Sequence, residues 1–385
     1  MSSYQILMPS TVLYGEGSLE QLGNKVKPLG KKALIVSDKV MTDAGYVEKI
    51  KNILIEQDIG FEVYNEVNGE PTDIMIEMGL SIYKNENCDF LIGIGGGSPI
   101  DAAKAIGLMA NNLGNIVDYM GLGKVKNPLP AVVAVATTSG TGSEVTQFTI
   151  IADTKNDVKM LIGSPYIVPA IAVNDPLLTL SVPAKTTAAT GIDAFTHAIE
   201  AYISKKAHPF TETMSLSAIK RISKYIRRAW ANGDDIEARS EMMIASMEAG
   251  IAFSNASVTI VHGMSRPIGA LFHIAHGISN AVLLPKCMEF ALMGAPEKFA
   301  KVAEAMGENI EGLTTMEAAK KAVEAIKRLN DDLEIPTISG LGIDKEEFLA
   351  VASKMAQDAI NSGSPGNTPR KVNLQQIIQI YKDSL

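Results

Sequence analysis

The chain has 385 residues, and at about 150 residues per domain this length predicts two or three domains. Apolar residues make up 46% and charged residues 20% of the sequence, which excludes a mainly disordered protein because a substantial core can form. The net charge of −8 argues against a nucleic-acid or membrane-surface protein, since either would carry a basic field. The N-terminus lacks a basic region followed by a long apolar run, so we expect no signal peptide, no membrane association and a cytoplasmic location.

Strand-like and helix-like segments alternate through the first half of the chain. Apolar, β-branched runs predict strands at residues 32–38, 61–64, 89–94, 131–136 and 171–174, with a further short strand around Ile150 and Ile151. Amphipathic patterns predict helices at residues 47–57, 73–85 and 99–111. This alternation predicts an α/β domain with a mostly parallel, Rossmann-like sheet that is covered on both faces.

The pattern changes after Pro183, because the second half shows helical periods and no convincing alternation. Helices are predicted, for example, over residues 237–252 and 315–329, and residues 362–368 form a loop before a last helix. We therefore predict an α/β domain at residues 1–183 and an all-helical domain at residues 184–385.

Two glycine-containing loops follow predicted buried strands and are candidates for phosphate binding. Residues 95–101 (GGGSPID) join a strand to a helix, where backbone N–H groups and the helix N-terminus attract anions. Residues 137–144 (TTSGTGSE) offer hydroxyls and glycines after another strand. Neither loop has the Gly-Lys-Ser/Thr element of a P-loop kinase or ATPase. An ordinary strand-to-helix turn explains the first loop equally well.

Asp38 ends the first predicted strand of the α/β domain. In nucleotide-binding folds a carboxylate at such a position bonds the ribose hydroxyls and repels a 2′-phosphate, which favours NAD over NADP. In the usual arrangement the acid follows the glycines by about 20 residues, whereas Asp38 precedes them. A simple turn residue is the alternative interpretation.

The two cysteines have no metal-type spacing, so a metal site would have to use histidines and carboxylates. Asp193 and His197 are four residues apart and would share one face of a helix. Glycines and a proline between His262 and His276 can turn the chain back, so that all four side chains could meet one metal ion. Three imidazoles and a carboxylate suit Fe(II) or Zn(II), and four protein ligands plus an incoming oxygen favour Fe(II). The alternative is that these histidines are hydrogen-bonded core residues.

The remaining histidines are harder to assign. His208 lies beside a proline in a polar segment, and we expect it at the surface. His273 precedes His276 by three residues, so it could relay a proton or orient a metal ligand.

Four segments together resemble the iron-dependent (group III) alcohol dehydrogenases. They are GGGSPIDAAKAIG, TTSGTGSEVT, DPLLTLSVPAKTTAATGIDAFTHAIEAYIS and VHGMSRPIGALFHIAHGISNAVLLP. The resemblance extends essentially over the whole chain, and within the family it points to the branch that holds 1,3-propanediol dehydrogenase, lactaldehyde reductase and butanol dehydrogenases.

This resemblance implies an NAD-binding α/β domain, an all-helical metal-binding domain and hydride transfer between NAD(H) and a small primary alcohol, diol or aldehyde. It also implies Fe²⁺, with Zn²⁺ possible, and a homo-oligomer of two or more copies. The implied metal ligands are Asp193, His197, His262 and His276. The implied cofactor contacts are Asp38, Gly96, Gly97, Ser98, Asp101, Thr137, Thr138, Thr141, Lys159, Leu178 and Val182.

Three positions depart from the pattern of the family. Arg266 replaces a histidine that is often considered for proton transfer, and arginine stays protonated, which makes it a poor acid or base. His273 stands where relatives often have Asp or Asn, and we expect it to be the proton relay or a partner of a metal ligand. Glu70 stands where an asparagine is often found near the ribose.

Other functions remain possible on the same fold. A polyol (glycerol-type) dehydrogenase would use the same metal and cofactor. A dehydroquinate-synthase-like lyase would need more basic residues near the metal than Arg266 alone. A non-enzymatic metal or nucleotide sensor is disfavoured, because sensing does not require both glycine loops together with four ligands.

Overall fold

A computed structural model describes residues 3–385. The described chain divides into two compact units, one formed by residues 6–181 and the other by residues 3–5 and 182–385. The division falls two residues before the boundary that the sequence predicts.

The first unit contains nine strands and five helices. The strands are β1 (Thr11–Tyr14), β2 (Lys32–Val36), β3 (Gly60–Tyr64), β4 (Phe90–Gly95), β5 (Gly121–Leu122), β6 (Val132–Ala136), β7 (Phe148–Asp153), β8 (Val158–Gly163) and β9 (Ile171–Asn174). The helices are α1 (Gly23–Val26), α2 (Lys39–Asp43), α3 (Tyr46–Glu56), α4 (Asp73–Asn85) and α5 (Gly97–Asn111). Six strands form an all-parallel sheet in the order β1-β9-β6-β4-β2-β3. A smaller sheet has the order β5-β8-β7, with β7 and β8 antiparallel.

Strand β2 shows why the large sheet is covered on both sides. Because successive side chains of a strand point to opposite faces, Ala33 and Ile35 join one buried cluster with α3, whereas Leu34 and Val36 join another with α4 and α5. Burial on both faces explains why these strands read as continuous apolar runs and not as alternating ones.

The carboxyl ends of the central strands form one edge of the sheet. Connections from β2 lead to β3 on one side, and connections from β4 lead to β6 on the other. Strands β2 and β4 are hydrogen-bonded neighbours, with Val36 opposite Gly93. Two residues further along each chain, Asp38 therefore lies level with Gly95. The strand order therefore reverses between β2 and β4. Open α/β sheets bind ligands at such a reversal, beside the carboxyl ends of the strands.

The second unit is helical throughout its described residues, apart from turns and short 3₁₀ segments. Its helices are α6 (Ala184–Ile203), α7 (Pro209–Ala231), α8 (Ile236–Ala256), α9 (Ile260–Phe272), α10 (His276–Leu292), α11 (Pro296–Ala305), α12 (Thr315–Asp332), α13 (Lys345–Asn361) and α14 (Leu374–Asp383). They enclose one apolar cluster that includes Phe195, Phe299, Phe348 and Tyr381. The predicted architecture, a mostly parallel sheet followed by a helical region, is confirmed.

One local expectation was wrong. Helix α9 continues through Gly263, Pro267 and Gly269, so these residues do not turn the chain between the two histidines. The chain turns at residues 273–275, where His273 has a left-handed backbone (φ 54°). A proline removes one hydrogen bond of the helix, but the apolar face of α9 is buried on both sides of Pro267, and packing holds the helix together.

Among residues 3–385, no single helix has the length and apolar composition required to cross a membrane. Helices α8 and α9 meet this requirement only as a pair, bent by 103°. Most residues of both helices are buried inside the protein.

Candidate metal centre and nucleotide loops

Four side chains from three helices converge in the second unit. Asp193, His197, His262 and His276 each offer one ligand atom, and these atoms all lie within 4.8 Å of one another. Asp193 Oδ1 is 3.7 Å from the Nε2 atoms of both His262 and His276. The first three residues are buried, whereas the side chain of His276 is 40% exposed. The cluster is therefore closed on one side and open on the other.

Local helical geometry explains this convergence. Asp193 and His197 are one turn apart on α6, so they present their side chains on one face. His276 begins α10 after the turn at residues 273–275, and the next residue, Gly277, touches α6. A Cβ at Gly277 would overlap the carbonyl oxygen of Ala189, so only glycine lets the start of α10 pack this closely.

The donor set and its geometry fit a transition metal. Ligand atoms at about 2.0–2.2 Å from a metal lie roughly 3–4 Å from one another, which is close to the separations observed here. Three imidazoles and one carboxylate suit Fe(II) and Zn(II). In addition, Nδ1 of His197 is buried and has no hydrogen-bond partner within the described chain. The residues therefore fit a bound divalent metal.

A buried carboxylate that the sequence analysis missed orients His262. Glu200 is fully buried on α6, and its Oε2 lies 2.5 Å from His262 Nδ1. Its Oε1 accepts hydrogen bonds from Thr259 Oγ1 and Val261 N, each at 2.6 Å. An ionised Glu200 can only accept, so it fixes Nδ1 as the donor and leaves Nε2 of His262 for the metal. Its spacing of seven residues from Asp193, on one helical face, was the signal that could have revealed it.

Asn280 is the second residue that the sequence analysis missed. It is fully buried one turn after His276 on α10. Its Nδ2 donates to Asp193 Oδ1 at 2.7 Å and lies 3.1 and 3.3 Å from the Nε2 atoms of His262 and His276. This amide therefore contacts three of the four ligand atoms and holds their side chains in place.

Burial and neighbouring charges set the protonation of the cluster. Burial lowers the pKa of His197 to about 3, so this imidazole is neutral and can bind a metal. Burial opposes the charge of Asp193, but the surrounding histidines hold its pKa well below the usual range. Burial also opposes the charge of His262, but hydrogen bonds to Asp193 and Glu200 raise its pKa. A metal must therefore compete with a proton at His262.

The other histidines occupy different environments. His273 lies at the end of α9 with an exposed side chain, three residues from His276. Its role as proton relay or as partner of a ligand stays a prediction. The expectation for His208 was wrong, because it is buried and its ring stacks on Tyr4 with centroids 4.6 Å apart. The sequence could not show that the N-terminal segment covers it.

In the first unit, the two glycine-containing loops touch each other. Gly96 precedes α5, and Gly97 and Ser98 form its first turn. A Cβ at Gly97 would lie 2.9 Å from Thr141 Cγ2 of the second loop, so the contact requires glycine. Thr138 lies beside Gly96, and Thr137, which is buried, follows β6. The structure thus places these predicted cofactor contacts together at the carboxyl edge of the sheet.

Asp101 and Lys104 of α5 fasten the second loop. Asp101 accepts hydrogen bonds from Ser143 Oγ at 2.5 Å and from Ile150 N at 3.0 Å. Lys104 is fully buried, and its ammonium donates to oxygens of Ser143, Thr146 and the Phe148 backbone. These contacts of Asp101 are with protein groups, so its direct contact with the cofactor stays a prediction.

Three polar residues that the sequence analysis singled out near the cofactor have partners of their own. Asp38 follows β2, and its carboxylate accepts a hydrogen bond at 2.8 Å from Met41 N at the start of α2. The structure is compatible with both interpretations of Asp38, as a ribose-binding carboxylate and as a simple turn residue, because a carboxylate that caps a helix can also face a ligand. Lys159 forms a 2.8 Å ion pair with Glu70, and both side chains are partly exposed.

Two predicted contacts lie after β9. Leu178 is buried in the first unit, within the short 3₁₀ helix that follows the strand. Val182 begins the second unit, and its carbonyl accepts a hydrogen bond at 3.0 Å from Arg239. Their contacts with a cofactor also stay predictions.

Comparison with known proteins identifies the family. Residues 9–176 match the model for iron-containing alcohol dehydrogenase, and residues 187–385 match the C-terminal model of the Fe-containing alcohol dehydrogenase family. The chain belongs to the iron-containing alcohol dehydrogenase family.

Similar proteins support this assignment over the full length of the dehydrogenase. It is 42% identical to the 1,3-propanediol dehydrogenase of Citrobacter freundii over 385 residues, which is 99% of this chain and 98% of the relative. It is 39% identical to the NAD-dependent methanol dehydrogenase of Bacillus methanolicus over 380 residues, covering 98% and 99% of the two chains. The structure of a 1,3-propanediol oxidoreductase superposes with a TM-score of 0.97 at 41% identity, covering 100% of both chains.

These findings confirm the resemblance that the sequence motifs predicted. The dehydrogenase is an oxidoreductase of alcohols and aldehydes in the iron-containing alcohol dehydrogenase family, as expected.

Proposed function

We propose that this dehydrogenase transfers a hydride between NAD(H) and a small primary alcohol, diol or aldehyde, with Fe²⁺ held by Asp193, His197, His262 and His276. The convergence of four ligand atoms within 4.8 Å carries this proposal. Zn²⁺ can compete for the same donors, because it binds N and O ligands more tightly than Fe²⁺ does.

A metal held by these four residues would act as a Lewis acid and polarise the oxygen of an alcohol or aldehyde. Asp193 contributes the only negative charge of the ligand set, which keeps the site attractive for a divalent cation. Glu200 and Asn280 hold the imidazoles in position, so little reorganisation is needed when the metal binds. The partly exposed His276 stands on the side from which a substrate can approach.

NAD supplies the hydride acceptor, and residues 6–181 would hold it. The Gly96–Ser98 turn offers free backbone N–H groups at the start of α5, where a pyrophosphate can bind. Asp38 would accept hydrogen bonds from the adenosine ribose, and Thr138 and Thr141 line the adjoining loop. The register of β2 and β4, which brings Asp38 level with Gly95, supports this arrangement.

NADH oxidation with propanal and butanal tests the proposal directly. Protein stripped of metal should be inactive, and Fe²⁺ should restore turnover. His262→Ala and His276→Ala should lose both turnover and bound iron yet keep their fold, and Asp193→Ala should behave in the same way. Lys286→Gln, on the exposed side of α10, is the control. Near-normal activity in both histidine variants would refute the ligand assignment.

We also propose that the enzyme acts in the cytoplasm and assembles from two or more identical chains. The resemblance to the family supports both statements. Size-exclusion chromatography with light scattering tests the assembly, and a monomer at micromolar concentration would contradict it.

A further inference from the structure

Arg266 lies one helical turn after the metal-ligand candidate His262 on α9. Residues four apart on a helix share a face and are separated by about 6 Å along its axis. Glu200, which holds His262, is the acidic group whose charge acts on Arg266. An arginine therefore lies one turn from a metal-ligand candidate on the same helical face, at a position where the resemblance led us to expect histidine.

This arginine differs from every other arginine of the chain. Six of the seven donate to a carboxylate, hydroxyl or carbonyl oxygen. Arg266 is partly buried, yet within residues 3–385 its guanidinium forms neither an ion pair nor a hydrogen bond. Removing such a group from water without a partner is costly. No ion pair or hydrogen bond among residues 3–385 offsets this cost for the guanidinium of Arg266.

Glu200 does not satisfy this arginine, although its charge acts on it. Its two oxygens accept hydrogen bonds from Thr259, Val261 and His262, and it makes no ion pair with Arg266. The planar fork of a guanidinium matches a carboxylate, sulfonate or phosphate through two parallel hydrogen bonds. The missing partner therefore has the chemistry of an oxyanion.

We propose that Arg266 binds an anionic group of the substrate, so that the enzyme prefers short aldehydes and alcohols that carry a carboxylate. This inference rests on the proposed function, since it places the reacting carbonyl at the metal centre. The short distance along α9 between His262 and Arg266 favours compact substrates with the anionic group a few bonds from the carbonyl. Arg266 would then select the substrate without taking part in proton transfer.

Paired substrates test the preference. Wild-type enzyme should reduce 4-oxobutanoate with a kcat/KM at least tenfold above that of butanal, which has the same chain length without the charge. Arg266→Gln should reduce this ratio at least tenfold, mainly by weakening the binding of the charged aldehyde and so raising its KM. Arg266→Lys, which keeps the charge but loses the fork, should give an intermediate ratio. Arg328→Gln, at an exposed ion pair, is the matched control and should keep the wild-type ratio.

Binding to the metal-free protein gives a readout that does not require turnover. Succinate should raise the Tm of metal-free wild-type protein by several degrees and that of Arg266→Gln by less than one, at constant ionic strength. Phosphate in place of succinate distinguishes a phosphorylated substrate: stabilisation by phosphate alone would overturn the carboxylate assignment. If Arg266→Gln does not fold, Arg266→Lys decides the question in both assays.

The outcomes separate this inference from the proposed function. If the enzyme oxidises NADH with none of the aldehydes tested, the proposed function itself fails. Reduction of butanal as efficiently as 4-oxobutanoate, or an unchanged ratio in both Arg266 variants, would refute the anion site and leave the dehydrogenase intact.

Discussion

Replacing Glu200 with glutamine should weaken metal binding without unfolding the protein. In the wild type, Oε1 of Glu200 accepts from Thr259 Oγ1 and Val261 N, and Oε2 lies against His262 Nδ1. A glutamine that keeps its oxygen on the Val261 side turns its NH₂ towards Nδ1. The imidazole must then place its own proton on Nε2, the nitrogen that faces the other ligand atoms. The opposite orientation of the amide would set two N–H groups against each other at Val261.

The size of the effect follows from this tautomer change. Loss of a hydrogen-bonding partner behind a histidine ligand typically costs about 10–100-fold in metal affinity, which corresponds to roughly 1.4–2.7 kcal/mol. Glu200→Ala should in addition destabilise the fold, because the buried donors of Thr259, Val261 and His262 lose their acceptor at about 1–3 kcal/mol each. The glutamine variant keeps the first two hydrogen bonds, so it separates ligand orientation from folding.

Competition with a chelator measures the affinity of each variant for Fe²⁺ or Zn²⁺, and thermal unfolding of the metal-free protein measures the fold. Glu289→Gln, an exposed substitution on α10, is the control and should change neither quantity. An affinity of Glu200→Gln within twofold of the wild type would refute the argument that Glu200 fixes the tautomer of His262.

Three further predictions concern other sites. Burial raises the pKa of Glu144 from 4.5 to about 7, so the wild type should lose stability as pH rises through this range. Glu144→Gln should match it near pH 4 and exceed it by up to about 3 kcal/mol at pH 8 in chemical denaturation. Equal differences at both pH values would contradict this. Wild-type enzyme should prefer NAD(H) to NADP(H) by roughly tenfold to a thousandfold, since a 2′-phosphate near Asp38 costs about 1–4 kcal/mol. Asp38→Asn keeps the helix cap and should shrink this preference. Equal use of both cofactors by the wild type would show that Asp38 does not face the ribose. If His273 relays the proton, His273→Ala should flatten the pH dependence of kcat near neutrality with the metal retained; if it orients a ligand, metal affinity should fall instead, and no change in either would make it a packing residue.

Local sequence patterns predicted most of the first unit. Helix α4 and strand β9 have the predicted bounds, and the other predicted strands and helices of this unit differ from the structure by at most two residues at either end. Such segments are recognisable because their periodicity reflects burial on one or both faces, which adjacent residues encode together. The pairing of Asp193 with His197 was predictable for the same reason, since a single helical turn relates them.

Contacts between distant segments could not be derived in this way. The position of the turn before His276 depended on how the apolar face of α9 packs on both sides of Pro267, and local glycines and proline pointed to the wrong place. The burial of His208 depended on the N-terminal segment, about 200 residues away in sequence. Sequence alone therefore determined the family, the alternation of strands and helices in the first unit, and the candidate metal ligands. Only the tertiary structure decided that Glu200 orients His262 and that Arg266 has no partner among residues 3–385, because a hydrogen bond between helices depends on packing that no local pattern records.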